Sequence, residues 1–147
     1  MSLTAAQNER NEKAIATLLP EVQSLCRKHL ALLATNGIDV IIPQALRTQS
    51  EQDALHAQGR TAPGKIVTNA HYGYSWHCFG RAYDIAVVKA GSIFWDGPEY
   101  TKAGSLGQTL GLVWGGSFKA IKGDVGHFEY HPGLELADAR KQAGIQA

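Results

Sequence analysis

Histidine and carboxylate residues crowd into two short stretches of this chain, and their spacing indicates the chemistry available. The first stretch, Ser75-Trp76-His77-Cys78-Phe79-Gly80-Arg81-Ala82-Tyr83-Asp84, sets a histidine seven residues before a carboxylate. The second, Gly123-Asp124-Val125-Gly126-His127-Phe128-Glu129-Tyr130-His131, adds two histidines and two carboxylates. Two imidazole nitrogens and one carboxylate form a donor set for catalytic zinc, which takes three protein ligands at about 2 Å and keeps a fourth position open for water. A further, unligated carboxylate must take the proton from that water. Together the stretches hold all four parts. Spacing alone leaves two choices open. On an extended strand His127, Glu129 and His131 share one face, which suits Glu129 as base or His131 as ligand. Asp124 lies between Gly123 and Gly126, where the chain can bend it over a metal.

Periodicity supplies the elements that must position these residues. A short helical pattern covers residues 8–19, and Pro20 fits the first turn of a second helix. Val22, Leu25, Cys26, Leu30 and Leu33 repeat at helical spacing up to Thr35, as core packing, and Asn36-Gly37 stops the run. Ile38 to Ile42 is β-branched and reads as a buried strand running on toward Leu46, with Pro43 demoting its end to an edge or bulge. Thr48 and Glu51 form a capping box for a short helix that Gly59 closes. Arg60 to Tyr74 reads as a long, functional loop. From Arg81 to Val88 a strand turns Tyr83, Ile85 and Val87 one way and Ala82, Asp84 and Ala86 the other, so Asp84 points into a cleft. Ile93-Phe94-Trp95 is its expected hairpin partner. Pro98 opens a helix that Gly111 ends. Residues 112–114 and 127–130 read as further strands, and a last helix follows Pro132-Gly133 to about Gln142. Helices and strands do not alternate as βαβ units, so the class is α+β.

Composition sets the outer bounds. One domain fits 147 residues, and 44% hydrophobic with 18% charged is ordinary globular composition. The net charge is +1, from 14 basic and 13 acidic residues, with no basic run longer than Arg27-Lys28 or Arg140-Lys141. That gives no electrostatic footprint for nucleic acid. Two cysteines, Cys26 and Cys78, are too few for a disulfide scaffold or a four-cysteine zinc site, and Cys78 reads as packing. No stretch approaches the ~18–20 apolar residues that span a bilayer, and Met1 to Arg10 has no apolar core of a signal peptide.

Ser75, His77, Gly80, Ala82 and Asp84 fit the pattern S-x-H-x-x-G-x-A-x-D. This resembles the zinc D-alanyl-D-alanine carboxypeptidase and L-alanyl-D-glutamate peptidase family, which hydrolyses peptidoglycan peptides and includes phage endolysins. Arg47-Thr48, Glu51-Gln52 and Leu55 through Thr61 resemble its upstream block. Trp114-Gly115-Gly116 with Asp124, His127, Phe128 and Glu129 resembles its downstream block. The resemblance covers residues 12 to 134 and implies a Hedgehog/DD-peptidase-like fold, a small, mostly antiparallel sheet flanked by helices with a zinc cleft on one sheet face. It further implies that His77, Asp84 and His127 hold one zinc ion. Asp124 matches the family's catalytic acid/base, and Arg47 an arginine that polarises the substrate carbonyl or holds the oxyanion. Glu129 would fix a ligand histidine, while Ser75 and Gln52 would line the substrate groove. Ser117 departs from the acidic residue of many relatives after Trp-Gly-Gly.

The expected protein is thus a zinc endopeptidase of the L-Ala-D-Glu bond in the bacterial stem peptide, closest to phage endolysins. A D-alanyl-D-alanine carboxypeptidase or dipeptidase is the alternative within the class, and a non-catalytic peptide- or metal-binding module the alternative outside it. A lysostaphin-type peptidase needs a carboxylate four residues after the histidine, whereas seven separate His77 and Asp84. A single catalytic domain over 1–147, monomeric and without a wall-binding module, would suit synthesis in a host cytoplasm and release to the wall through a separate pore. Trp76, Trp95 and Trp114 are expected in the core or groove wall, His71 and Tyr72 on the long loop, and His29 and His56 in helices without chemical roles.

Overall fold

The computed structural model describes residues 3–118 and 124–145. The elements are α1 (Ala5–Ile15), α2 (Pro20–Thr35), β1 (Asp39–Gln44), α3 (Gln49–Ala57), β2 (Ala82–Lys89), β3 (Ser92–Phe94), α4 (Pro98–Thr109), β4 (Val113–Trp114), β5 (His127–Glu129) and α5 (Leu136–Gln142). Short 3-10 turns at Trp76–Phe79 and Gly115–Ser117 complete them. The four strands β1-β2-β5-β4 lie side by side, and β3 folds back onto the far end of β2. Every strand pair is antiparallel.

The alternation along β2 holds. Tyr83, Ile85 and Val87 are buried in the main core with Val22, Cys26 and Leu33 of α2, Ala103 of α4 and Phe128 of β5. Burying each larger apolar side chain contributes about 1.5–3 kcal/mol. His29 crosses this core: Tyr83 Oη donates to its Nδ1 at 2.7 Å, and its Nε2 donates to the Ala103 carbonyl at 2.9 Å. Burial lowers its pKa, so the ring is a neutral strut between α2, β2 and α4. The opposite face of β2 carries Ala82, Asp84 and Ala86. Trp76, Ala139 and Leu136 cover it at Ala82, while Asp84 lines a cleft.

Two local expectations change, at the first helix and at Trp95, while the bulge expected at Pro43 is present. The first helix is Ala5–Ile15 rather than 8–19, because Thr4 and Gln7 form a reciprocal capping box that fixes its start. Residues 16–19 then turn away, and the Leu19 amide donates to the Gly80 carbonyl at 3.0 Å. Pro43 stays inside β1, where the register slips between Ile41 and Gln44. That bulge is what the missing proline N–H calls for. Trp95 is neither core nor groove wall; it is 64% exposed beyond β3.

β1 is an edge strand, and Asn11 of α1 closes part of its edge. Its amide donates to the Val40 carbonyl at 3.0 Å and accepts from the Ile42 amide at 2.9 Å, as a further strand would. No helix among the described residues is long and apolar enough to cross a membrane.

Candidate active site

Strand register builds most of the site. Gln44, Asp84 and His127 stand directly opposite one another across β1, β2 and β5. The bulge at Ile41/Gln44 puts Gln44 in that row. Glu129 follows His127 on the same face and lies opposite Ala82. His77 arrives separately, on the 3-10 turn. Ser75 Oγ accepts from the His77 amide at 3.3 Å, and Gly80 ends the turn at φ +68°. A Cβ at Gly80 would sit 3.3 Å from the Leu19 amide nitrogen, so the turn is packed tightly against residues 17–19. The Ala45 carbonyl accepts from His77 Nδ1 at 2.8 Å, and the Arg47 amide donates to the His77 carbonyl at 2.9 Å.

These outer bonds settle the inner chemistry. A carbonyl can only accept, so the His77 proton sits on Nδ1 and the Nε2 lone pair faces Asp84 Oδ1, 3.1 Å away. Glu129 takes the Nε2 proton of His127 at 2.8 Å, which turns the Nδ1 lone pair toward the same Asp84 oxygen, again at 3.1 Å. Three acceptors converge with their donor atoms all within 4.8 Å of one another. Such a cluster can hold a cation at its centre, and two imidazoles with a carboxylate fit a zinc-type ion. Without metal a proton takes that place. Burial works against the His127 charge, but Asp84 and Glu129 outweigh it and carry its pKa up to about 9. Burial likewise opposes the Asp84 charge, yet the hydrogen bond and charge of protonated His127 hold it well below the ordinary carboxylate range.

The cleft around this cluster measures about 940 Å³. Arg47, Ser75, Asp124 and Glu129 line it, facing Thr68, Asn69 and Ala70 of the long loop across the gap. Arg47 Nε donates to Gln44 Oε1 at 2.8 Å and Nη1 to Gln52 Oε1 at 3.1 Å, leaving Nη2 4.0 Å from Asp84 Oδ2. Asp124 is half-buried. Its pKa is raised, by burial first and then by repulsion from Asp84 and Glu129. A raised carboxylate is better matched to exchanging a proton near neutral pH. Gln52 departs from expectation: it is fully buried and bonds Arg47 and the Ala70 carbonyl instead of lining the cleft.

Trp114-Gly115-Gly116 has a steric function. The Trp114 ring lies over Gly104 and Gly116, and its Nε1 donates to the Val125 carbonyl at 2.7 Å. Gly115 packs against the backbone of Asp124 and the Cβ of His127. Sequence reasoning left His131 only as an open ligand choice and missed the role of Trp76. His131 does not join the His77-Asp84-His127 cluster; its Nε2 bonds the second Glu129 oxygen and its ring stacks on Trp76, centroids 4.0 Å apart. The His127-x-Glu129-x-His131 alternation was the available signal. His71 packs against His56 with rings tilted by 31° and centroids 3.8 Å apart, and Cys78 is buried packing as expected.

A model of the D-alanyl-D-alanine carboxypeptidase family matches residues 68–130, which contain both histidine-carboxylate stretches. The chain is 41% identical over 112 residues to the peptidoglycan L-alanyl-D-glutamate endopeptidase CwlK of Bacillus subtilis (strain 168), covering 69% of this chain and 66% of that protein. It is 24% identical over 122 residues to the L-alanyl-D-glutamate peptidase of Listeria phage A118, covering 81% and 40%. The chain thus spans about two thirds and two fifths of those relatives' lengths. In fold it is similar to the Serratia marcescens L-Ala D-Glu endopeptidase ChiX, with TM-score 0.63, 22% identity and coverage of 95% and 93%. It is also similar to a vancomycin resistance D,D-pentapeptidase solved with Zn(II), with TM-score 0.59, 16% identity and coverage of 87% and 80%. The match over both histidine-carboxylate stretches and the 41% identity converge on one conclusion: the chain belongs to the D-alanyl-D-alanine carboxypeptidase family.

Proposed function

We propose that this protein is a zinc-dependent peptidoglycan peptidase that cleaves the L-Ala-D-Glu bond of the stem peptide. The observation that carries the reading is the convergence of His77 Nε2, Asp84 and His127 Nδ1 in a cleft that also holds Asp124 and Arg47. Zinc at those ligands supplies a Lewis acid that makes water acidic enough to lose its proton near neutral pH. The chain's own groups do the rest. Asp124 takes the proton of the attacking water and returns it to the leaving amine. Arg47 Nη2 faces the carbonyl oxygen and stabilises the negative charge that develops there. Glu129 keeps the His127 ring in the tautomer that presents Nδ1. Thr68, Asn69 and Ser75 offer polar groups to the peptide backbone along the cleft.

The Bacillus and phage relatives, both named for the L-alanyl-D-glutamate bond, support that bond over D-Ala-D-Ala. The phage relative also supports an endolysin role; release to the wall through a separate pore is part of this proposal. The family model favours the alternative, a D-alanyl-D-alanine carboxypeptidase. Mass spectrometry of muropeptides digested with and without chelator separates these readings. New N-terminal D-Glu, abolished by chelator, is the expected result. Loss of terminal D-Ala supports the carboxypeptidase, and intact muropeptides in both arms leave a binding module.

A further inference from the structure

Gln52 is fully buried beneath the cleft, four residues into α3, and both ends of its amide are in use. Its Oε1 accepts from Arg47 Nη1 at 3.1 Å, and its Nε2 donates to the Ala70 carbonyl at 2.7 Å. Neither partner leaves a choice. A guanidinium has no acceptor and a carbonyl has no donor, so only one orientation of an amide satisfies both. Ala70 belongs to the cleft wall with Thr68 and Asn69. From outside, Arg60 braces the same wall, donating to the Thr68 carbonyl and to Asn69 Oδ1 at 3.0 Å each. Gln44 holds Arg47 only at Nε, which leaves the guanidinium free to pivot unless Nη1 is also fixed.

We propose that Gln52 is a positioning residue that locks Arg47 and the 68–70 cleft wall into one unit, so that a peptide held by the wall meets the guanidinium in register. This rests on the reading of Arg47 as the group facing the scissile carbonyl. Metal binding is untouched, because Gln52 contacts none of the three ligands.

The test is a double-mutant cycle on the zinc-loaded enzyme, reading kcat, KM and zinc content with a purified muropeptide. Arg47→Ala lowers kcat about 10²–10³-fold, as loss of an oxyanion donor does. Gln52→Met lowers kcat on the order of 10–100-fold through misplacement, with zinc unchanged. In the Arg47→Ala background Gln52→Met costs no further kcat. Gln52→Glu keeps an acceptor for Arg47 but sets a carboxylate against the Ala70 carbonyl, so KM rises about tenfold while kcat changes less than in Gln52→Met. Gln52→Met at wild-type kcat, or with the same penalty in both backgrounds, overturns the coupling. Should Gln52→Met fail to fold, unchanged kcat and KM in Gln52→Glu overturns it instead. An Arg47→Ala variant with undiminished kcat removes the premise, and with it the proposal; that outcome is distinct from an inactive Arg47→Ala beside an active Gln52→Met.

Discussion

Substituting Gly115 by alanine should disable the site without unfolding the protein. Gly115 is buried at the start of a 3-10 turn and its φ is not positive, so alanine meets no conformational penalty there. The penalty is purely steric. A Cβ would fall well inside 3.0 Å of the Asp124 carbonyl oxygen, 2.9 Å from His127 Cβ and 3.2 Å from Asp124 Cβ. The nearest atom is backbone, so no rotamer change relieves the clash, and the Asp124–His127 segment must retreat on the order of 1 Å. A misplacement of that size costs about 10²-fold in rate, and overpacking costs about 1–3 kcal/mol in stability. The assay is kcat on a purified muropeptide, with zinc content and melting temperature measured on the same sample. Gly133→Ala is the control: its φ is +71° with nothing within 4 Å, so it lowers stability by about 1–2 kcal/mol and leaves kcat alone. A folded, zinc-loaded Gly115→Ala enzyme within about threefold of wild-type kcat refutes the packing argument.

Zinc and a proton compete for His127. With the metal-free pKa raised to about 9, zinc binding at pH 7 should release about one proton, read by titration calorimetry in buffers of different ionisation enthalpy. Because that folded pKa lies above the ordinary histidine value, its stabilisation of the metal-free protein is complete below about pH 6.5 and is lost as pH rises through about 9; thermal melts across that window check the sign. Glu129→Ala strips the acceptor from His127 and His131 together and should weaken zinc about 10–100-fold in a chelator competition. His29→Leu leaves the Tyr83 hydroxyl and the Ala103 carbonyl unpaired in the core and should cost about 1–3 kcal/mol for each, measured by urea unfolding.

The strands were legible because their faces differ in kind: Tyr83, Ile85 and Val87 are apolar, while Asp84 interrupts the other face. The Thr48-Glu51 capping box and the His77-Asp84 spacing were equally local, and both appear in the structure. What the sequence hid depends on contacts between distant residues. The family resemblance implied a groove position for Gln52; it is buried instead, bonded to Arg47 and the Ala70 carbonyl. Trp95 was expected in the core or groove wall, yet it lies exposed just past the end of β3. The early start of α1 had a local signal, Thr4 and Gln7, which the apolar periodicity farther along outweighed. Spacing could not choose between Asp124 and Glu129. In the structure the Glu129 carboxylate is engaged by two histidines, while Asp124 meets His127 only through its backbone carbonyl and lines the cleft.

That division of labour is the central claim, and one sample tests it: Asp124→Ala, assayed for bound zinc and muropeptide hydrolysis. The account predicts one zinc per chain and hydrolysis reduced by at least about 10²-fold, the loss expected for a general base. Wild-type hydrolysis by this variant, beside an inactive but zinc-loaded Glu129→Ala, would contradict the account and make Glu129 the base.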